Sequence, residues 1–179
     1  MPARMLGRMS AGAGDHQVDE IGGEDVEGIH GELLQIYAVC YSGPPWYETA
    51  EDVEVYADRI RDWAGLDSFA GLVARDASGR LVGATYGWSG PAEVRGLPLP
   101  GVEAANPFNV ADLMVHPTAQ RRGLGRALLD RLVEGRTPAV LLTHPEGEAR
   151  HLYEAADWRC VGKVRPTESM EWLVYLYDV

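Results

Sequence analysis

Between Leu113 and Gly135 the chain reads LMVHPTAQRRGLGRALLDRLVEG, an apolar run, then a basic turn punctuated by glycines, then a stretch with helical apolar spacing. A helix N-terminus presents backbone N–H groups that the helix itself leaves unpaired, and it carries about half a positive charge. Gly123 and Gly125 would let an anion approach that backbone with no Cβ in the way, while Arg121, Arg122 and Arg126 add positive charge beside it. Together these features point to an anion site; a tight turn with surface arginines would explain the glycines but not their coincidence with a helix start. Spacing excludes two familiar phosphate loops. A dinucleotide fingerprint needs a third glycine where the chain has Leu128, and a P-loop needs a Gly-Lys-Ser/Thr triplet that does not occur.

Other reactive side chains are fewer. His116, His144 and His151 lack ligand spacing such as HxxxH, so they read as structural or surface residues and no metal site is expected. Cys40 and Cys160 are far apart and form no CxxC, which fits a reducing, cytoplasmic setting without disulfides. Trp46 and Tyr47 follow two prolines and suit either the wall of a site for a cation or ring, or the anchoring of a loop.

The elements that must position these residues follow from periodicity. HQVDEI reads as a first strand, and 24–41 as a helix carrying Val26, Ile29, Leu33, Ile36, Tyr37 and Cys40 on one face. SGPP breaks it; Thr49 with Asp52 then makes a capping box before a second helix bearing Val53, Tyr56, Ala57, Ile60 and Trp63. Residues 69–74 and 81–88 read as a hairpin joined by RDASGR. A proline- and glycine-rich connection over 89–108 is expected to hold no regular structure, and either contacts substrate or is a surface insertion. Next come a strand at 109–115, a helix at 124–133, a strand at 139–143, a helix at 148–156, and strands at 158–164 and 170–177.

With 179 residues, 46% of them hydrophobic and 24% charged, the chain suits one globular domain, taken as 17–179 behind a flexible tail at 1–16. The first residues lack the apolar core of a signal peptide, and no apolar run approaches the ~20 residues that span a bilayer, so no membrane partner is expected. A net charge of −11 repels polyphosphate chains and argues against a nucleic-acid partner.

QRRGLGRA, preceded by LMVHP, resembles the Q/R-x-x-G-x-G/A acetyl-CoA signature of the GNAT N-acetyltransferase family, and the order of elements from about residue 17 resembles it too. The fold this implies is α/β: a central, mostly antiparallel twisted sheet with a splayed parallel pair at the CoA site, flanked by about four helices. The resemblance implies that the turn at Arg121, Arg122, Gly123, Leu124, Gly125 and Arg126 holds the CoA pyrophosphate. It also implies that Leu113, Met114 and Val115 lend unpaired backbone groups to the pantetheine arm. LYEAADW is similar to the family's LYEKLGF, whose tyrosine protonates the departing thiolate, which gives that role to Tyr153. A phenol with pKa ~10 can serve without a large shift; the helical face shared with Ala149, Leu152 and Ala156 would equally suit a packing residue. Glu146, where many members carry asparagine, and Asp157-Trp158, in place of Gly-Phe, depart from the pattern.

The general base is not identified by the resemblance. Strict alternation along 109–115 puts Asn109, Ala111 and Leu113 toward the cleft and turns Asp112 away, to bond a backbone or cap a helix; Glu103, Glu48, Glu51 or a water chain are the other sources. The expected activity is acetyl-CoA-dependent acetylation of a primary amine, by direct transfer without metal or covalent intermediate. The acidic balance favours a small-molecule amine, with room for a homodimer. A protein N-terminus or lysine as acceptor, and a non-catalytic acyl-CoA-binding module, are the alternatives.

Overall fold

The computed structural model describes residues 16–179 and the backbone of a strand, β1, at Met5–Met9. β1 pairs antiparallel with β2 (His16–Ile21), from Met5 opposite Asp19 to Met9 opposite His16. The expected N-terminal tail is therefore a paired strand over these five residues. An open sheet edge offers backbone donors and acceptors to any extended segment, which a reading of side chains does not register. The rest of the expected tail, residues 1–4 and 10–15, lies outside the described residues.

Helix α1 (Gly23–Tyr41) opens with the Asp25 carboxylate accepting from the Gly22 N–H at 2.9 Å. Helix α2 (Ala50–Ala64) opens with the expected capping box, the Thr49 N–H donating to Asp52 at 2.7 Å and the Asp52 N–H to Thr49 Oγ1 at 3.4 Å. Strands β3 (Ala70–Arg75) and β4 (Leu81–Ser89) form the hairpin. The 89–108 connection is not wholly irregular: β5 (Glu93–Val94) and β6 (Leu97–Pro98) pair across Arg95 and Gly96, both at positive φ, the twist that closes a two-residue hairpin. Beyond this hairpin Leu99 is buried against Val140, Val164 and Val174, so the connection packs on the sheet. There follow β7 (Phe108–Val115), a 3-10 turn at Pro117–Ala119, α3 (Leu124–Val133), β8 (Ala139–Thr143), α4 (Ala149–Ala155), β9 (Arg159–Thr167) and β10 (Met170–Tyr177).

The main sheet runs β1-β2-β3-β4-β7-β8-β10-β9. All its pairs are antiparallel except β7 with β8, the expected parallel pair, and this pair holds only from Phe108 opposite Ala139 to Val110 opposite Leu141. Past that point the strands part. Alternation puts Val73, Ala84, Tyr86 and Met114 under α1 and α2, and Leu72, Ala74 and Val82 under α3. On α3, Leu124, Leu128, Leu129 and Leu132 are almost wholly buried, each worth about 1.5–3 kcal/mol relative to exposure.

Alternation fails at one place in β7, and the failure matters. Val110 packs in the α3 cluster; Ala111 packs in the α1–α2 cluster; Leu113 and Val115 return to the α3 side. The register against β4 jumps from Tyr86 opposite Asp112 to Gly87 opposite Val110, so Ala111 is the extra residue of a β-bulge. Asp112 consequently joins Ala111 on the α1–α2 face, and the strict-parity reading of Asn109, Ala111 and Leu113 as one row is corrected. Gly87 makes the bulge possible, because a Cβ there would stand 2.1 Å from the Asn109 carbonyl oxygen. Gly87→Ala is expected to destabilise the protein by about 1–3 kcal/mol, the usual cost of forcing atoms into a filled site. Denaturant unfolding measures it, and wild-type stability in the variant would show that the backbone here has room to move.

Candidate active site

The turn between β7 and α3 is built from left-handed residues. Arg121 has φ 62° and Gly123 has φ 80°, and Gly123 is the N-cap of α3 with no side chain to cap it. The first bond of the helix is Ala127 N–H to the Gly123 carbonyl at 3.0 Å. The amides of Arg121 to Arg126 donate to no acceptor among the described residues, and a run of free N–H groups at a helix start is a concave anion site. Arg121 and Arg122 are exposed beside it. Arg126 differs: its Nε donates to Asp130 at 2.6 Å and its Nη1 to the Ala155 carbonyl at 2.5 Å, so its side chain ties α3 to the end of α4 and only its amide is left free for an anion.

Upstream of this turn lies the gap between β7 and β8. From Ala111 to Val115 the side of β7 that faces β8 has no strand partner. The carbonyl of Val115 accepts from Gln120 Nε2 at 2.9 Å, with Cys40 Sγ 3.5 Å away. Met114 is fully buried under α1 and α2, whereas Leu113 and Val115 are half-buried against the α3 side, so what these three can offer a ligand in the gap is chiefly backbone.

Tyr153 enters from α4. Its ring is buried beside Trp158 and Tyr175, with centroids 6.3 and 5.8 Å away, and its hydroxyl has no hydrogen-bond partner among the described residues. Burial, and then the negative charge of Asp112, push this phenol above its ordinary value, which keeps it a proton donor. The departure just after α4 has a local explanation. Asp157 has φ 63°, a conformation glycine adopts freely and aspartate tolerates, while Trp158 is buried and stacked on Tyr177. Glu146 is exposed.

On the opposite face a polar cluster gathers that sequence reasoning did not anticipate. Asp112 Oδ1 accepts from the Tyr41 hydroxyl at 3.0 Å and Oδ2 from the Tyr86 hydroxyl at 2.8 Å, and Tyr86 meets the Tyr56 hydroxyl at 2.6 Å. Neither a backbone nor a helix end is the partner of the Asp112 side chain, contrary to expectation. Burial pushes the Asp112 carboxyl up; the Arg59 guanidinium and the two hydroxyls draw it back. Glu48 also faces this cluster, its carboxyl raised by burial and one oxygen buried without a partner, whereas Glu51 and Glu103 are exposed. The one sequence signal of this arrangement was Gly87, since a glycine inside a strand can mark a bulge, although β4 carries a second glycine, Gly83, that pairs with β7 in regular register.

Aromatic rings span the parted strands on this side. Tyr41 meets Trp46 edge-on at 5.3 Å, Trp46 stacks on Trp172 of β10 at 5.4 Å, and His144, just past β8, lies 5.6 Å from Trp46. Trp46 thus serves as a wall, while Tyr47, at φ 50° and 67% exposed, takes no part. His116 is bonded to Arg80 and, at 2.8 Å, to Thr118, and His151 is exposed. Among the described residues no group of three or more His, Cys, Asp or Glu side chains gathers where a metal could bind, and no helix is long and apolar enough to cross a membrane.

Comparison with known proteins agrees with this geometry. Several solved structures share the fold. Arabidopsis thaliana NAA60, solved with a bisubstrate analogue, is 16% identical with a TM-score of 0.64, over 92% of this chain and 99% of that one. A GNAT-family acetyltransferase from Streptococcus agalactiae is 18% identical with a TM-score of 0.65, over 93% and 96%. The aminoglycoside N-acetyltransferase AAC(6')-Iy, solved with CoA, is 13% identical with a TM-score of 0.62, over 86% and 94%. No curated sequence matches the chain. A family profile described as "Acetyltransferase (GNAT) domain" matches residues 68–160, from the start of the β3–β4 hairpin through the glycine turn to Tyr153 and the start of β9. With that match covering just over half of its length, the chain belongs to the GNAT acetyltransferase family.

Proposed function

We propose that this protein transfers the acetyl group of acetyl-CoA to a primary amine, by direct attack of the amine on the thioester in a ternary complex. The observation that carries the reading is the run of free amides from Arg121 to Arg126, set at the mouth of a strand pair that opens beyond Val110 and Leu141. A pyrophosphate on those amides would direct the pantetheine arm along the backbone of Leu113, Met114 and Val115 on the side without a strand partner, where the Val115 carbonyl is already held by Gln120, and bring the thioester toward Tyr153. Tyr153, protonated and unpartnered, then supplies the proton that the departing thiolate needs. Small-molecule amines are favoured as acceptors, because Tyr41 joins the Trp46–Trp172 wall to the Asp112 carboxylate, with Glu48 facing the same cluster, and aromatic faces with nearby negative charge suit a cation. Similar structures are compatible with CoA as the donor, AAC(6')-Iy having been solved with CoA and NAA60 with a bisubstrate analogue.

Two substitutions separate binding from chemistry. Gly123→Val places a β-branched residue at φ 80° and walls off the amides, so CoA affinity should fall at least about tenfold while the circular dichroism spectrum is retained. An unchanged dissociation constant in a folded variant would remove CoA pyrophosphate from this turn. Tyr153→Phe keeps the ring packing and deletes the proton donor; kcat should drop by roughly 10²-fold with CoA affinity nearly unchanged. Undiminished kcat, or a ping-pong pattern in the wild type, would contradict the mechanism.

A further inference from the structure

We propose that Tyr41, backed by Asp112, receives the proton that the acceptor ammonium must lose before it can attack. This rests on the acetyl-transfer reading, which needs such a group because an alkylammonium with pKa ~10 is not a nucleophile at neutral pH. Asp112 is the only acidic residue on β7, which carries no histidine, and the other polar side chain of the strand, Asn109, is occupied, its amide donating to the Gly90 and Pro107 carbonyls at 3.0 and 3.2 Å.

The bulge brings Asp112 to the α1–α2 face two residues past Val110, the end of the β7–β8 pairing, level with the opening where the thioester would emerge. Its two oxygens are reached from different sides. Tyr86, on Oδ2, is wholly buried and leads back only to Tyr56. Tyr41, on Oδ1, is half-buried and its ring edge meets Trp46 in the aromatic wall, so it is the hydroxyl through which a ligand in the cleft would reach the carboxylate. The charged and titratable groups facing this pair are Tyr37 and Cys40 from α1, Glu48 from the α1–α2 connection, Tyr56 and Arg59 from α2, Tyr86 from β4 and Tyr153 from α4, with His144 beyond Trp46.

Arg59 is the cation of that set. Its guanidinium lies 5.7 Å from the Tyr56 ring and 5.1 Å from the Trp63 ring, donates to the Tyr37 hydroxyl at 3.1 Å, and has no carboxylate at ion-pair distance among the described residues. Its charge therefore acts through the tyrosine layer and favours the ionised form of Asp112, the form that can take a proton.

The step balances. The ammonium gives a proton to the Tyr41 oxygen as the Tyr41 hydroxyl proton moves to Asp112, leaving a neutral amine, a neutral phenol and a carboxylic acid. The nitrogen lone pair forms the C–N bond, the C–S bond breaks, and the thiolate takes the Tyr153 proton. The protonated amide returns its extra proton to the Tyr153 phenolate, and Asp112 releases its proton to solvent. One amide, one thiol and one proton result.

The test compares two acceptors: an alkylamine that the wild type acetylates, and its β,β,β-trifluorinated analogue, whose ammonium is already largely deprotonated at neutral pH. Tyr41→Phe should lower kcat/KM for the alkylamine by about 10²-fold at pH 7 and move the acid limb of its pH profile toward the amine's own pKa, while the fluorinated amine loses less than about tenfold. CoA affinity should be unchanged. Tyr86→Phe, which removes an equivalent hydrogen bond from the buried side of Asp112, should affect both amines alike. An equal loss for both amines in Tyr41→Phe, or an unmoved acid limb, overturns the proposal. Should the variant fail to fold, the wild type still decides: acid limbs shared by the two amines support an enzyme-borne base, and limbs that track each amine's own pKa overturn it. A wild type that acetylates no primary amine would overturn the acetyl-transfer reading itself, and this proposal with it.

Discussion

Three backbone pairs join β7 to β8, and the two strands then separate. Every feature of the candidate site depends on that separation, because a fully paired sheet would have no free backbone edge in its middle and no opening between its faces. The closed end is fixed from outside the pair: Phe108 N–H donates to the Pro138 carbonyl at 2.9 Å, and Leu99 from the preceding connection packs on Val140. At the open end the two halves of the sheet are joined by side chains. Trp46, carried by the α1–α2 connection, reaches Trp172 on β10, and Arg126 ties α3 to the last turn of α4. The gap is thereby held open by a frame rather than left as a fray.

Burying a carboxylate under two helices is costly unless its oxygens are bonded and its charge is balanced. Asp112 meets both conditions with four groups from three elements: hydroxyls of α1 and β4 on its oxygens, the α2 tyrosine behind one of them, and the α2 guanidinium at longer range. The stacking of Tyr37 on Tyr56, centroids 3.8 Å apart, fixes α1 against α2 and so fixes the hydroxyls relative to the carboxylate. A cluster of this kind is sensitive to partial loss, since removing one partner leaves a buried polar group unpaired. It gives α1 and α2 a defined position over the opening.

Much of the architecture was legible in the sequence. The helix at Leu124–Val133 and the strands at Ala139–Thr143 and Met170–Tyr177 fall where periodicity put them, and the Thr49–Asp52 box starts α2 as its spacing required. These are local signals: a capping pair three residues apart, or a 3.6-residue apolar repeat, acts within one element and needs no distant partner. The glycine turn was legible for the same reason, because a left-handed N-cap and the free amides after it are properties of a single short segment.

What only the tertiary structure decided depends on pairing between segments far apart in the chain. β1 exists because β2 offers it an edge, and the small hairpin of β5 and β6 sits in a connection whose prolines and glycines suggested no order. The bulge at Ala111 depends on the close approach of Gly87 to Asn109, 22 residues away, and it reverses the facing of Asp112 that strict alternation had assigned. Nothing in the sequence singles out Tyr41 or Tyr86, since periodicity locates a ring but says nothing of where its hydroxyl ends. A side chain's facing follows from its own strand only while the register is unbroken; once a residue is inserted, the partner strand decides which residues meet.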